Sequence, residues 1–430
     1  MALVNGEPIT KEQFIQRLEF TPFPEFHKVT ERNKRALDAL IDEMVVSQWA
    51  VENRLDDSPE YIEAVDFARQ QALIRELYLE EIRAHAEPDS EPIHQALQKS
   101  TQQLKVRALF SKDEDIAGEW RKSLRSGKTF EDLAIEAEND HRTQITHSSI
   151  HWGDGTVPIQ VERTAYQLNP GEASEVVELS HGYAILFVEH RVQDLFLTPY
   201  ELHNKRQQVK QLLQARVESR LANEYVNNLL APLTIRQKAV GFLEVIKSLR
   251  AELDFRSEDS LQPPMILRDE IKLSEAFDLS LPVIQAPDFV WDGKDVLLLL
   301  RKYDYPINTE NGEALSKSLT GFLKSTVRDH YLAERAKELG LESTLRVRAD
   351  TQMWRRYFLY MMGISALHQN KTVESDKEQI AERIRELRDK AQVKINASHL
   401  QSIELTGIPM LVFWGSDLNR QLVVPPLVQF

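Results

Sequence analysis

The chain has 430 residues, enough for two or three domains. Its net charge of -14, from 67 acidic against 53 basic side chains, excludes the basic face that a nucleic-acid partner requires. It has no cysteine, so a disulfide framework, a thiolate nucleophile and a Cys-ligated metal are excluded, and an oxidising compartment is suited. The longest apolar stretches, Val296 to Leu300 and Tyr357 to Leu367, fall short of the roughly 20 residues that span a bilayer. Met1-Ala2-Leu3 runs into Val4-Asn5-Gly6 with no apolar export signal, so the chain is expected to start at the mature domain.

Val4 to Thr10 reads as a short strand and turn. Thr10 and Gln13 fit a capping box, which predicts a helix from about Lys11. Phe20, Phe23 and Phe26, with Pro22 and Pro24, follow on an interhelical loop, either as core or as an adaptable contact surface. Leu37, Leu40, Ile41, Met44, Val45 and Trp49 recur at helical spacing, predicting a helix from about Arg32 to Arg54. A third helix is expected from Pro59 to about Ala84, and a fourth, opened by Pro92, ends near Ser100. Beyond a mixed segment, Thr198-Pro199-Tyr200 opens a long helix to Leu230, striped by Val209, Leu212, Leu213, Val217, Leu221 and Tyr225. Prolines at 263, 264, 282 and 287 mark loops. Val290-Trp291-Asp292-Gly293 then echoes Val4-Asn5-Gly6. Helices are expected over Leu315–Leu339, Thr351–His368 and Glu374–Gln392, with a strand at Val393–Asn396. That order matches the first helices, so an internal duplication and two unrelated helical modules both stand as readings. The apolar segment Ile408 to Phe430 is either a packed strand and tail or an exposed arm.

The mixed segment carries an ordered set of landmarks. Val106-Arg107-Ala108-Leu109-Phe110-Ser111-Lys112 comes first. Ser126-Gly127-Lys128-Thr129-Phe130-Glu131-Asp132-Leu133-Ala134 follows. Next come Trp152, Val157-Pro158, Leu168-Asn169-Pro170-Gly171-Glu172 and Gly182-Tyr183-Ala184-Ile185-Leu186. In order and spacing the set resembles a parvulin, the PpiC type of peptidyl-prolyl cis-trans isomerase domain. With the V-N-G-x-x-I-T start and the helices around it, the chain resembles extracytoplasmic foldases of the SurA and PrsA type.

The resemblance implies a catalytic face with two facing histidines, a nearby acid or cysteine, and a Met/Phe pocket for the proline ring. Such a site must lower a barrier of roughly 18–20 kcal/mol set by amide resonance. Here Ala108 and Ala184 stand at the two histidine positions, and alanine offers neither donor nor acceptor. Asp140 falls near the acidic position, and Val157 and Val161 near the Met and Phe positions. The catalytic candidates are therefore Asp140 and His181, and the substrate-binding candidates Trp152, Val157, Val161 and Tyr183. Asp140 also reads, more simply, as a solvated loop acid. His141, His147 and His151 read as exposed loop histidines rather than metal ligands, because they lack a short paired motif. Met353, Trp354, Tyr357, Phe358, Tyr360, Met361 and Met362 crowd one helix, as a buried central element or as a Met-rich client surface.

The expected fold is α+β and predominantly α-helical. Residues 1–100 form a helical chaperone core and 101–194 a degenerate parvulin-like domain. Residues 195–236 are a long helix completing the core, and 237–430 a mostly helical C-terminal module. On that division a chain ending near Thr234 folds alone. The resemblance implies a periplasmic, ATP-independent chaperone for unfolded or nascent exported polypeptides, holding them in apolar grooves without cofactor, metal, nucleotide or nucleic acid. Two other readings stand beside it: an active prolyl isomerase, and a scaffold dedicated to one partner or to a homodimer.

Overall fold

A computed structural model describes the chain except residues 20, 22–27, 194–197, 254–264, 267–270, 272, 274, 304, 306, 309, 368–375, 397–402, 404–424, 426 and 428–430. The loop aromatics Phe20, Phe23 and Phe26 and nearly all of 408–430 lie outside the described residues. The fold is α+β and predominantly helical. Contacts gather the chain into two compact units, Glu80–Glu224 and a second one made of Met1–Leu79 with Tyr225–Phe430.

The larger unit opens with a hairpin, β1 (Ala2–Val4) and β2 (Glu7–Ile9), followed by α1 (Lys11–Glu19), α2 (Val29–Glu52) and α3 (Pro59–Glu81). Thr10 and Gln13 cap α1 reciprocally, each backbone N–H donating to the other's side chain at 3.2 Å. The apolar face of α2 is sealed: Leu37, Leu40, Ile41, Met44 and Val45 are all buried. Each such aliphatic side chain contributes about 1.5–3 kcal/mol on leaving water. They pack on Val4, Ile9, Phe14 and Leu18, fixing the hairpin and α1 onto α2.

The smaller unit begins after α3 with α4 (Ser90–Ser100), β3 (Gln102–Ser111), α5 (Glu114–Arg125), α6 (Phe130–Glu138) and β4 (Thr143–His151). It continues through α7 (Ile159–Ala165), β5 (Val177–Leu179), β6 (Gly182–Gln193) and α8 (Pro199–Leu230), whose last residues belong to the larger unit. The four strands form an antiparallel sheet in the order β4-β3-β6-β5. Side chains alternate across a pleated sheet. Leu104, Val106, Leu186 and Val188 therefore face α7, while Leu109 and Ile185 face α5 and α6. Thr129 and Asp132, inside the Gly-x-x-Phe landmark, form the capping box that starts α6.

The larger unit resumes with β7 (Arg236–Gln237), α9 (Ala239–Leu253), β8 (Met265–Ile266), β9 (Pro282–Gln285), β10 (Val290–Asp292) and α10 (Gly293–Tyr303). It ends with β11 (Ile307–Asn308), α11 (Gly312–Glu338), α12 (Leu345–Leu367), α13 (Asp376–Lys390) and β12 (Val393–Ile395). The first strand pairs with β12, the last among the described residues, Ala2 opposite Ile395 and Val4 opposite Val393. The aromatic helix α12 lies against α2, with Tyr360 and Ile364 on Val46, and Leu359 beside Ala50. Periodicity along one helix reveals that a face is apolar but not which helix covers it, so these long-range partners were not readable in advance. In α12, Met353, Leu359, Tyr360 and Ile364 are buried and Met361 is exposed.

Candidate functional site

Strand register fixes the two alanines on one sheet face. Ala108 pairs with Leu186 on one side and Thr146 on the other; Ala184 pairs with Phe110 and Val177. They are thus diagonal neighbours on β3 and β6, a relation that brings side chains within reach of each other. Both belong to the apolar cluster that includes Val161 of α7 and, at its margin, Val157 and Trp152. Ala184 is buried, as is Val161, and Ala108 is half-buried. The register brings together Ala108, Ala184, Val157, Val161 and Trp152. Tyr166 belongs to this cluster; its hydroxyl donates to the Gln102 carbonyl at 2.7 Å and is pushed up to about 12 by burial. The face presents apolar groups where the resemblance implies two histidines.

Tyr183 stands apart from that set. As the odd neighbour of Ala184 it faces α5 and α6, and its hydroxyl donates to Glu114 at 3.3 Å. The nearby Glu114 carboxylate holds the phenol above its ordinary range. The same opposite face seats Arg107, paired at 2.8 Å with both Glu131 and Glu189 and placed over the rings of Phe130 and Phe187.

Asp140 lies in the turn between α6 and β4. Its carboxylate accepts the Arg142 backbone N–H at 2.9 Å and the Arg142 guanidinium at 2.7 Å. Those hydrogen bonds hold the carboxyl down to about 2, so it is a fixed anion occupied with its own turn. His181 is exposed in the turn between β5 and β6. Both lie at the end of the sheet where Ser111 pairs with Thr143 and Tyr183, but no hydrogen bond joins them. Of the three histidines expected on loops, only His141 is in a turn; His147 and His151 lie on β4, and all three are exposed. Among the described residues no group of His, Asp and Glu gathers to hold a metal.

Three residues missed by sequence reasoning organise the edge of the face. Glu162, buried on α7, accepts the Gly153 backbone N–H at 2.6 Å and the Arg216 guanidinium at 2.8 Å. Arg216, on α8, lies 4.8 Å over the Trp152 ring, so the predicted substrate-binding tryptophan is covered by a cation. Gly153 has φ +82, and a Cβ there would come 2.1 Å from Leu212 of α8. The Gly153-Asp154-Gly155 turn was a visible signal for a close backbone approach. Nothing in the sequence pointed to Arg216, more than fifty positions downstream of Glu162.

Residues 89–190 match the family described as Rotamase: PPIC-type PPIASE domain. Foldase protein PrsA 4 of Bacillus cereus is 32% identical over 116 residues, which cover 27% of this chain and 40% of that one. Foldase protein PrsA of Geobacillus kaustophilus is 30% identical over 202 residues, covering 43% of this chain and 68% of that one. A solved Campylobacter jejuni structure, described as one of two structurally related SurA-like chaperones, is 17% identical with a TM-score of 0.25, covering 55% of this chain and 98% of that one. The chain belongs to the PrsA foldase family and carries a PPIC-type domain over residues 89–190. Among the described residues no helix is long and apolar enough to cross a membrane.

Proposed function

We propose that this protein is an ATP-independent, extracytoplasmic chaperone that binds unfolded or partly folded polypeptides, and that its parvulin domain binds without isomerising. One observation carries the reading: the two positions where the family resemblance implies histidines are Ala108 and Ala184, packed with Val157 and Val161 into one apolar face. Isomerisation needs a donor or acceptor poised against the twisted amide, and alanine supplies neither. The runner-up, an active isomerase using Asp140 and His181, would need those two groups to act together. Asp140 is instead engaged by Arg142. The extracytoplasmic placement rests on family kinship and on a chain without cysteine.

The test is suppression of aggregation. Several unrelated denatured proteins are diluted into buffer with and without the chain, and light scattering is followed with no nucleotide present. Lower scattering for most of them, unchanged by added ATP, is expected. Protection of a single protein, or none, would overturn the general-chaperone reading and favour a dedicated scaffold.

A further inference from the structure

We infer that the C-terminal half of the larger unit is a second copy of its N-terminal helical module, and that the two copies complete each other's sheets within one chain. The inference is independent of the proposed activity.

The element order repeats. Hairpin β1-β2, α1, α2, a single 3-10 turn (Leu55–Asp57) and α3 have counterparts in hairpin β9-β10, α10, α11, a 3-10 turn (Leu341–Ser343) and α12. The repeat extends to chemistry that order alone would not demand. Asp292 and Asp295 cap α10 reciprocally, at 3.0 and 2.9 Å, as Thr10 and Gln13 cap α1. A left-handed residue precedes each 3-10 turn, Arg54 at φ 59 and Gly340 at φ 73. Ser58 and Thr344 then cap α3 and α12, their hydroxyls accepting from Tyr61 and Val347. Buried positions coincide along the long helices: Asn33 with Leu319, Ala36 with Phe322, Leu37 with Leu323, Ile41 with Val327, Val45 with Tyr331 and Ala50 with Ala336. The spacing between members is the same for every pair, and the same again for Arg54 with Gly340 and Ser58 with Thr344. Amphipathic periodicity explains a match within one helix, but not one kept in register across helix, turn and cap.

The copies are interlocked. The three-stranded sheet of the first hairpin has the order β12-β1-β2, and that of the second has β10-β9-β7. In each, the hairpin's first strand is central, and the third strand comes antiparallel from the end of the other copy. Helix packing is reciprocal too. The second half of α2 packs on α12, while α3 packs on the second half of α11 through Ala72, Leu73 and Ala336. Phe67 of α3 meets Tyr303 of α10 at 4.8 Å, and Asp350 of α12 meets Gln16 of α1 at 3.5 Å. When residue i contacts j and the equivalent of j contacts the equivalent of i, the interface is isologous, the form a two-fold dimer takes. Here one chain supplies both partners. The parvulin unit occupies the interval between α3 and the end of α8 in the first copy, whereas only residues 368–375 separate α12 from α13 in the second.

Strand exchange within one chain puts both members of each strand pair on the same polypeptide, and the chain's lack of cysteine gives a clean test. Leu3 faces Lys394 across β1 and β12, and Arg236 faces Gln285 across β7 and β9; all four are exposed. Directly opposed strand positions have the Cα spacing a disulfide needs. In the full chain, Leu3→Cys with Lys394→Cys, and separately Arg236→Cys with Gln285→Cys, are expected to oxidise within single chains, with light scattering reading one chain before and after. Disulfide-linked dimers would mean exchange between chains, and unreacted thiols would mean absent strand pairs; either overturns the inference. Hydrogen exchange by mass spectrometry adds a readout that depends on the interlock. Leu323→Ala in the second copy is expected to speed exchange in β1 and β12 as well as in β7 and β9. An effect confined to β7 and β9 would show that the copies fold independently.

Discussion

Glu162 shows how a single side chain governs the edge of the candidate face. It is buried, and its two oxygens are committed to the Gly153 N–H and to Arg216. Glu162→Ala would leave both donors unmatched beneath α8. A loss of about 2–3 kcal/mol in denaturant unfolding is expected, since truncating one partner of a buried charged pair exposes the other's desolvation penalty. A loss below about 0.5 kcal/mol, the usual range for a surface substitution, would contradict that role. Asp140 acts in the opposite way, at the surface. Its folded-state value is depressed to about 2, so the stability it contributes is present above its unfolded value and is lost as pH falls toward about 2. Asp140→Asn is therefore expected to flatten the acid limb of the stability profile between about pH 4 and pH 2. At pH 7 it should leave polypeptide binding unchanged; weakened binding would reinstate Asp140 as a site residue. These residue roles were only partly legible. The alanines at 108 and 184 stood out because their landmarks surround them, and alternation along β3 and β6 placed them together. Tyr183 lies on the opposite face from Ala184 because, in a strand, the next residue points to the other side.

At the scale of elements, caps and stripes were readable and partners were not. The Thr10 capping box, the start of α6 and the apolar stripe of α2 follow from local rules that act within one turn. The full course of α8 did not: Leu212 lies against Gly153, while Tyr225 packs with Ala72, Leu73 and Leu77 of α3, as expected of a stripe that returns to the N-terminal helices. A half-buried stripe is compatible with either surface, and only the three-dimensional arrangement decides. The equivalent caps of α1 and α10 give a quantitative check. Thr10→Ala and Asp292→Ala each remove one side chain of a reciprocal pair, and each is expected to lower stability by about 1 kcal/mol. Calorimetry that finds one cap neutral and the other strongly destabilising would show that the two helix starts are not equivalent.

For the whole molecule, the decisive feature is that β1 pairs with β12, the last described strand. A chain ending at Thr234 would lose β12, α12 and α13, which close the sheet of β1 and cover α2. It is expected to unfold without a cooperative transition for its helical part, against the sequence-based expectation that it folds alone. A sharp two-state transition in that fragment would contradict a shared core. Composition could never have shown this, because net charge and cysteine content carry no information about which segments pair. The central claim concerns chemistry on the parvulin face, and the most direct measurement is prolyl cis/trans exchange on a panel of X-Pro peptides by a method that needs no coupling protease. With Ala108 and Ala184 packed into an apolar face, the rate is expected to match the uncatalysed exchange, on the order of tens to hundreds of seconds. Clear acceleration, proportional to the concentration of the chain, would contradict the account and turn attention to Asp140, His181 and the end of the sheet they share.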